Sequence, residues 1–141
     1  MTSPQLEGGC FCGAVRYRAS AAPLGSMICD CQSCRRIAAA PSVPWLTFEI
    51  GAFSFTRGEP VTFPSSAGVR RTFCRDCGTP LTYHGDKTPA EIDVTTCSLD
   101  EPERFPPTHR SWVSHALSWW SSNRALPAYA QSKPAATHQD A

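Results

Sequence analysis

Short runs of alternating apolar and polar residues, interrupted every few positions by proline or glycine, make up most of this chain. The run 14–18 alternates apolar side chains with arginines, as a half-buried strand does. The runs 45–50 and 53–56 flank Gly51, which predicts two strands joined by a tight turn. Further strands are predicted at 69–73, 81–84 and 92–96. The pattern therefore indicates an all-β or mainly β fold.

Helix signals are weaker than strand signals. A short helix is predicted to follow Gln32 and to end at Pro41, because proline cannot continue a helix. A single helical turn is predicted to begin at Asp100, with Glu103 at the capping-box position. Another short helix is expected around residues 115–123.

The length and composition suit one domain. The 141 residues are 41% hydrophobic, which is enough for a single core. Residues 131–141 consist of alanine, proline and polar residues and are expected to form a disordered tail, which leaves residues 1–130 as the domain. The net charge is +1, with no long basic block, so nucleic acid is not expected as a partner. No apolar run approaches the roughly 20 residues of a spanning helix, so no membrane partner is expected either.

The chain contains eight cysteines, a high number for its length. Its first residues have neither the charged nor the apolar segment of a secretory signal, so a cytoplasmic location is expected. In that reducing environment, cysteines are more often metal ligands or catalytic thiols than disulfides. Most of these cysteines are therefore expected to bind metal.

Four of the cysteines form two close pairs, Cys10 with Cys12 and Cys74 with Cys77, each beside glycine. Thiolates on such turns can reach one tetrahedral zinc ion at about 2.3 Å. Together the pairs predict a closed structural site that contributes folding free energy directly. The alternative, a redox pair of Cys74 and Cys77, is disfavoured because no βαβ pattern surrounds them.

A second cluster places Cys29, Cys31 and Cys34 within six residues. Three protein ligands plus an open position are typical of a catalytic zinc, and three thiolates suit a sulfur substrate. The alternative is a second structural site whose fourth ligand is Cys97, His84, His109 or Asp30.

Other residues are candidate substrate ligands. Arg35 and Arg36 directly follow the second cluster and either bind carboxylates or form a solvated face. Cys97 is interpreted as a buried free cysteine that packs as a small hydrophobe. His109 and His115 bind substrate or metal, or are hydrogen-bonded structural residues. Three tryptophans are interpreted as mainly core, although one could line a substrate pocket: Trp112, Trp119 and Trp120.

Several segments, taken in order, match the pattern of one known family. They are residues 8–17 (GGCFCGAVRY), 29–35 (CDCQSCR), 73–81 (FCRDCGTPL) and 98–102 (SLDEP), followed by the aromatic segments at 109–112, 119–120 and 126–129. Over about residues 6–130 the chain thus resembles the glutathione-dependent formaldehyde-activating, or centromere-protein-V-like, family. The resemblance implies an Mss4-like fold of short antiparallel strands built around zinc sites.

The resemblance also implies two zinc ions and an activity. The structural ion would be held by Cys10, Cys12, Cys74 and Cys77, and the catalytic-type ion by Cys29, Cys31 and Cys34. The implied activity is carbon–sulfur lyase chemistry on S-hydroxymethylglutathione, in which glutathione is the thiol part of the substrate. In the mechanism considered for this activity, arginines bind the carboxylates of glutathione, and the candidates are Arg35, Arg36, Arg70 and Arg71. A nearby acid or base moves one proton, and the candidates are Asp30, His84 and His109.

Two departures from the family pattern concern the substrate more than the fold. Asp30 replaces the family's usual histidine, and Cys97 stands where a small residue such as glycine is common. A non-catalytic zinc module that binds another protein is the main alternative, because the Mss4-like fold also hosts such functions. A thiol redox enzyme using Cys97 is a further alternative, although Thr95 occupies the position where an arginine would be expected.

Overall fold

The computed structural model describes residues 5–121 and 126–135. Strands dominate this part of the chain, as predicted, and form two sheets. The strands are β1 (Leu6–Gly9), β2 (Arg16–Ala19), β3 (Gly25–Cys29), β4 (Val43–Glu49), β5 (Phe53–Arg57), β6 (Val61–Ser66), β7 (Val69–Phe73), β8 (Pro80–Gly85), β9 (Glu91–Thr95) and β10 (His109–Ser111). The helices are α1 (Gln32–Ala38) and α2 (Ser118–Ser121), with 3₁₀ turns at Ile50–Ala52, Thr96–Ser98, Pro102–Arg104 and Val113–His115.

The smaller sheet has the order β1-β2-β5, and the larger sheet has the order β10-β3-β4-β9-β8-β7-β6. Described neighbours pair antiparallel except β10 and β3, which run parallel. The fold is thus the mainly β architecture of short strands that the sequence indicates. None of the described helices is long and apolar enough to cross a membrane.

Strand β4 separates two apolar clusters because successive side chains point to opposite faces of a sheet. Leu46 and Phe48 pack in the main core with Tyr17 of the smaller sheet. Trp45 points the other way and packs with Cys29 and Cys34. The second cysteine cluster therefore lies on the face of the larger sheet that the smaller sheet leaves uncovered.

The predicted strands coincide with β2, β4, β5, β7, β8 and β9 to within a few residues. The predicted turn at Gly51 is the 3₁₀ turn Ile50–Ala52, which carries the chain from the larger sheet to the smaller one. Consequently β4 and β5 do not pair with each other. The pattern missed β1, β3, β6 and β10, which are short or contain glycine or proline.

The helix predictions had mixed outcomes. Helix α1 is confirmed and ends at Ala38; its C-cap residue Ala39 has a left-handed φ of 49°, shortly before Pro41. The turn expected at Asp100 begins instead at Pro102, without a side-chain cap, and Asp100 forms an ion pair with Arg16. Since an arginine faces Asp100 across the chain, its carboxylate is not available to cap a helix.

The C-terminal predictions are tested only in part. Helix α2 begins at Ser118 rather than His115, which belongs to the preceding 3₁₀ turn. Residues 122–125 and 136–141 lie outside the described residues, so the predicted end of the helix and most of the predicted tail cannot be compared. The disorder of residues 131–141 and the domain boundary at 130 therefore stay predictions.

Candidate metal sites and substrate cavity

The four cysteines of the first cluster meet as the spacing predicted. The Sγ atoms of Cys10, Cys12, Cys74 and Cys77 lie within 4.8 Å of one another. The Cys10–Cys12 and Cys12–Cys74 sulfur distances are 3.6 Å and 3.8 Å. Sulfurs placed tetrahedrally about 2.3 Å from a zinc ion are about 3.8 Å apart, so this donor set fits a closed four-thiolate site.

Two glycine-containing turns bring these sulfurs together. Gly13 and Gly78 have φ angles of 79° and 77°, which a residue with a Cβ atom adopts only with strain. The Gly78 N–H donates to the Cys74 carbonyl at 2.8 Å, which closes the turn between β7 and β8. The Phe11 N–H donates to the Thr79 hydroxyl at 3.1 Å, which ties this turn to the one between β1 and β2. The first cluster therefore fastens the smaller sheet to the larger sheet.

Hydrogen bonds prepare the first cluster to bind a cation. A bond from the Thr79 hydroxyl, followed by backbone bonds, lowers the pKa of the Cys77 thiol to about 5. The Val15 N–H donates to the Cys10 sulfur at 3.2 Å. Such bonds favour the thiolate, which is the form of cysteine that binds zinc.

The second cluster forms where β3 passes into α1. Cys29 ends the strand, Cys31 is the N-cap of the helix, and Cys34 lies in its first turn. Their three Sγ atoms lie within 4.8 Å of one another, and the Cys34 N–H donates to the Cys31 sulfur at 3.3 Å. The hydrogen bond between Cys29 and Cys34 lowers the pKa of the Cys34 thiol to about 6 and raises the pKa of the Cys29 thiol, so one of the two is the readier thiolate. The donor set therefore fits a soft metal ion such as zinc.

Within the described residues, this second group contains no fourth cysteine, histidine or carboxylate. A structural site completed by Cys97, His84, His109 or Asp30 is therefore not supported by the geometry. A metal ion bound only by these three cysteines would keep a position available to another molecule.

Asp30 lies between two ligands but makes its contacts elsewhere. Its carboxylate is fully buried, and its Oδ2 accepts a hydrogen bond from the Nε atom of Arg110 at 3.0 Å and lies 2.9 Å from the Nη2 atom in an ion pair. Its N–H donates to the Ser111 carbonyl at 3.0 Å. These contacts hold β10 beside the second cluster, so the observed role of Asp30 is to position. A catalytic role for Asp30 stays a prediction.

A cavity of ≈ 640 Å³ opens beside the second cluster. Its floor is the uncovered face of the larger sheet, and its walls come from α1 and the segment 112–115. The lining includes Cys29, Cys31, Cys34, Arg36, Trp45, Ser65, Arg71, Tyr83, Asp93, Trp112 and His115. This volume is typical of small-molecule sites, and the three sulfurs face it.

The floor carries a row of side chains from three neighbouring strands. Tyr83 is in register with Arg71 on one side and with Asp93 on the other. The Arg71 guanidinium lies 4.9 Å from the centre of the Tyr83 ring and 5.9 Å from that of Trp45. Its Nε donates to the Ser65 hydroxyl at 3.0 Å.

Of the two charged groups of this row, the Arg71 side chain is buried and the Asp93 side chain is half-buried. Arg71 is only 6% exposed, and its Nη1 has no hydrogen-bond partner among the described residues. Burial raises the pKa of the Asp93 carboxyl, although its Oδ1 accepts a 2.6 Å hydrogen bond from the Thr47 hydroxyl. Asp93 and Tyr83 were not identified as site residues from sequence. An arginine at an inward position of the alternating strand 69–73 was the available signal for this face.

The arginines and histidines predicted from sequence occupy different places. Arg36 and His115 line the cavity, whereas Arg35 donates to the His115 carbonyl at 2.9 Å. Arg70 forms an exposed ion pair with Asp86 and contacts His84 at 3.0 Å. His109 lies on β10, is exposed, and contacts the Thr108 hydroxyl.

Two interpretations of buried residues were wrong. Cys97 is exposed, because it sits in the 3₁₀ turn Thr96–Ser98 that projects from the end of β9. Trp112 and Trp119 are 60% and 59% exposed rather than part of the core. Trp112 instead stands at the cavity rim, with its ring centre 5.0 Å from that of His115. The buried tryptophan is Trp45.

Comparisons with known proteins concern the family and the fold of the chain. The family model described as glutathione-dependent formaldehyde-activating enzyme matches residues 5–115. An uncharacterized lyase of Schizosaccharomyces pombe is 30% identical over 124 residues, which span 72% of this chain and 85% of that protein. The crystal structure of a Rhodobacter sphaeroides protein superimposes with a TM-score of 0.62 at 23% identity, covering 74% of this chain and 99% of that one. The likeness to that structure concerns the fold.

Proposed function

Because the chain belongs to the glutathione-dependent formaldehyde-activating family, we propose that it is a zinc-dependent carbon–sulfur lyase acting on a glutathione–aldehyde adduct. S-hydroxymethylglutathione or a related thiol adduct is the proposed substrate. The observation that carries the proposal is the cluster of three thiols facing a cavity of ≈ 640 Å³. The name of the yeast relative, a lyase, supports the same reaction class.

In this proposal the residues around the cavity have three different roles: metal binding, carboxylate binding and positioning. Cys29, Cys31 and Cys34 hold the ion, and the bound zinc supplies a Lewis acid with room for one further ligand. Arg36, which follows the cluster on α1, offers a guanidinium to a carboxylate at the cavity wall. Arg35 keeps its bond to the His115 carbonyl and so holds the rim in place.

The proposed reaction breaks or forms one carbon–sulfur bond and moves one proton. In the lyase direction the carbon–sulfur bond of the adduct breaks, its hydroxyl loses a proton to become the aldehyde carbonyl, and the sulfur leaves as thiol. The reverse direction joins thiol and aldehyde and returns the proton to oxygen. Among the described histidines, His115 lines the cavity and is the proposed proton carrier.

The proposal is tested by adding formaldehyde and glutathione to zinc-loaded protein and following S-hydroxymethylglutathione by exchange-sensitive NMR. We expect the protein to speed the interconversion, and Cys31→Ser to abolish the effect while Arg70→Gln leaves it unchanged. A fully zinc-loaded protein that binds no thiol and changes no rate would favour the alternative of a non-catalytic zinc module that binds another protein.

A further inference from the structure

The cavity floor contains two oppositely charged side chains that zinc binding does not use. Arg71 of β7 and Asp93 of β9 flank Tyr83 of β8 in one cross-strand row. Residues in register on neighbouring strands share a face of the sheet, and all three side chains line the cavity. The row therefore presents a cation, an aromatic ring and an anion to whatever occupies the cavity.

Arg71 has the features of a preorganised anion ligand. Its Nε donates to the Ser65 hydroxyl, and the guanidinium lies against the Tyr83 and Trp45 rings. Its Nη1 is buried and lacks a hydrogen-bond partner among the described residues. A buried, unpaired donor of a charged group is unfavourable, and an anionic ligand in the cavity would remove that cost.

Asp93 does not neutralise Arg71 directly. Strands β7 and β9, which carry Arg71 and Asp93, are separated by about 10 Å, or two inter-strand spacings. The Arg71 guanidinium lies over the ring of Tyr83 on the intervening strand. No ion pair joins Arg71 to Asp93 within the described part of the chain. Opposite charges thus face one cavity with a space between them.

We propose that Arg71 and Asp93 bind the α-amino-acid end of the thiol substrate, Arg71 taking the carboxylate and Asp93 the ammonium group. This inference rests on the proposed function and narrows its substrate to thiols with a zwitterionic end, such as the γ-glutamyl end of glutathione. A thiol with a polyphosphate tail is disfavoured, because the Asp93 carboxylate repels it. The same residues then fix the direction in which the thiol lies in the cavity.

The test is calorimetric binding to the zinc-loaded protein with ligands that each lack one charge. Glutathione is compared with glutaryl-cysteinylglycine, which lacks the ammonium, and with 4-aminobutanoyl-cysteinylglycine, which lacks the neighbouring carboxylate. The proteins are the wild type, Arg71→Gln, Asp93→Asn and the control Arg70→Gln, whose arginine pairs with Asp86 instead. Thermal melting checks that each variant is folded.

The wild type should lose about tenfold or more in affinity for either analogue, as expected for a charge-assisted hydrogen bond. Arg71→Gln should no longer distinguish glutathione from the analogue without the carboxylate. Asp93→Asn should no longer distinguish glutathione from the analogue without the ammonium. Arg70→Gln should behave as the wild type.

Equal affinity of the wild type for all three ligands would overturn the inference and leave the lyase proposal standing. The inference would also be overturned, with the lyase proposal left standing, if Arg71→Gln and Asp93→Asn still distinguished the three ligands as the wild type does. If the wild-type protein binds neither glutathione nor L-cysteine, that result would overturn both this inference and the lyase proposal. If Arg71→Gln fails to fold, the isosteric Asp93→Asn and the wild-type ligand series decide the question.

Discussion

A carboxylate that is mostly buried, like that of Asp93, lowers the stability of the fold at neutral pH. Burial raises its pKa in the folded state, so the folded chain binds more protons than the unfolded chain between the two pKa values. The free energy of unfolding therefore falls as pH rises from the unfolded value, about 3.9, through the raised folded value. Above that window the loss is complete.

Asp93→Asn is accordingly expected to increase the free energy of unfolding at pH 7, because asparagine can still accept the Thr47 hydrogen bond without carrying a charge. The gain should shrink as the pH approaches the unfolded pKa. Urea unfolding at several pH values measures both effects. The exposed Asp86→Asn is the control and should change stability little. A destabilised Asp93→Asn would mean that the charge supports the fold.

The pair of Asp30 and Arg110 leads to the opposite expectation. Asp30 is fully buried and accepts a hydrogen bond within its ion pair with Arg110, whose side chain is 40% exposed. Asp30→Asn should lower the free energy of unfolding by about 1–3 kcal/mol, the usual range for a hydrogen bond to a charged group. Arg104→Gln, which breaks an exposed pair with Glu101, should change it by less than about 1 kcal/mol. Equal effects in thermal melts would contradict the positioning role of Asp30.

At the scale of single elements, the sequence pattern predicted strands well where alternation runs uninterrupted, and poorly where the strand is short or contains glycine or proline. Strand β6 contains Pro64, which is tolerated because this strand lies at the edge of the larger sheet. Strand β3 has no alternation of burial, since four of its five residues are half-buried. A local sequence pattern cannot identify a strand that forms mainly because it pairs with neighbouring strands of the sheet.

The two cysteine clusters join elements in different ways, so their loss should have different effects. Cys77→Ser removes a ligand that ties the β7–β8 turn to the smaller sheet. Structural zinc contributes about 10 kcal/mol or more in small zinc modules, comparable to the whole stability of a domain. Cys77→Ser is therefore expected to be insoluble or unfolded.

Cys31→Ser should lose the second zinc ion and any lyase activity but keep the β core. Its cluster spans only the junction of β3 and α1, and the main core contains none of its cysteines. Zinc content, solubility and circular dichroism of both variants measure the difference. If Cys31→Ser unfolds as completely as Cys77→Ser, the second cluster is structural and the lyase proposal loses its main support.

For the whole molecule, the two donor sets predict two zinc ions per chain that leave in a fixed order. A chelator should remove the ion of the three-thiolate cluster first, because it has fewer protein ligands. Far-UV circular dichroism should change little during this phase and should collapse when the second ion leaves. Elemental analysis and a chromogenic chelator follow both phases. Near-zero metal in freshly purified protein, with free thiols or disulfides, would contradict the two-zinc reading.

The sequence predicted which cysteines come together in both clusters but not the cavity beside one of them. Cysteine spacing is local, and local spacing was enough to group Cys29, Cys31 and Cys34. The floor depends on the pairing register of the three consecutive strands β7, β8 and β9, which brings Arg71, Tyr83 and Asp93 into one row. A single sequence contains no direct signal of that register, so Asp93 was not identified.

The parallel pairing of β10 with β3 affects the order in which a newly made chain can assemble. His109 pairs with Met27, which was synthesised 82 positions earlier. The ligands of the three-thiolate cluster are therefore present on the nascent chain long before the segment that carries Trp112 and His115. Closing such a long loop is slow relative to forming a local turn. A metal ion can consequently reach Cys29, Cys31 and Cys34 from open solvent, before the rim of the cavity exists.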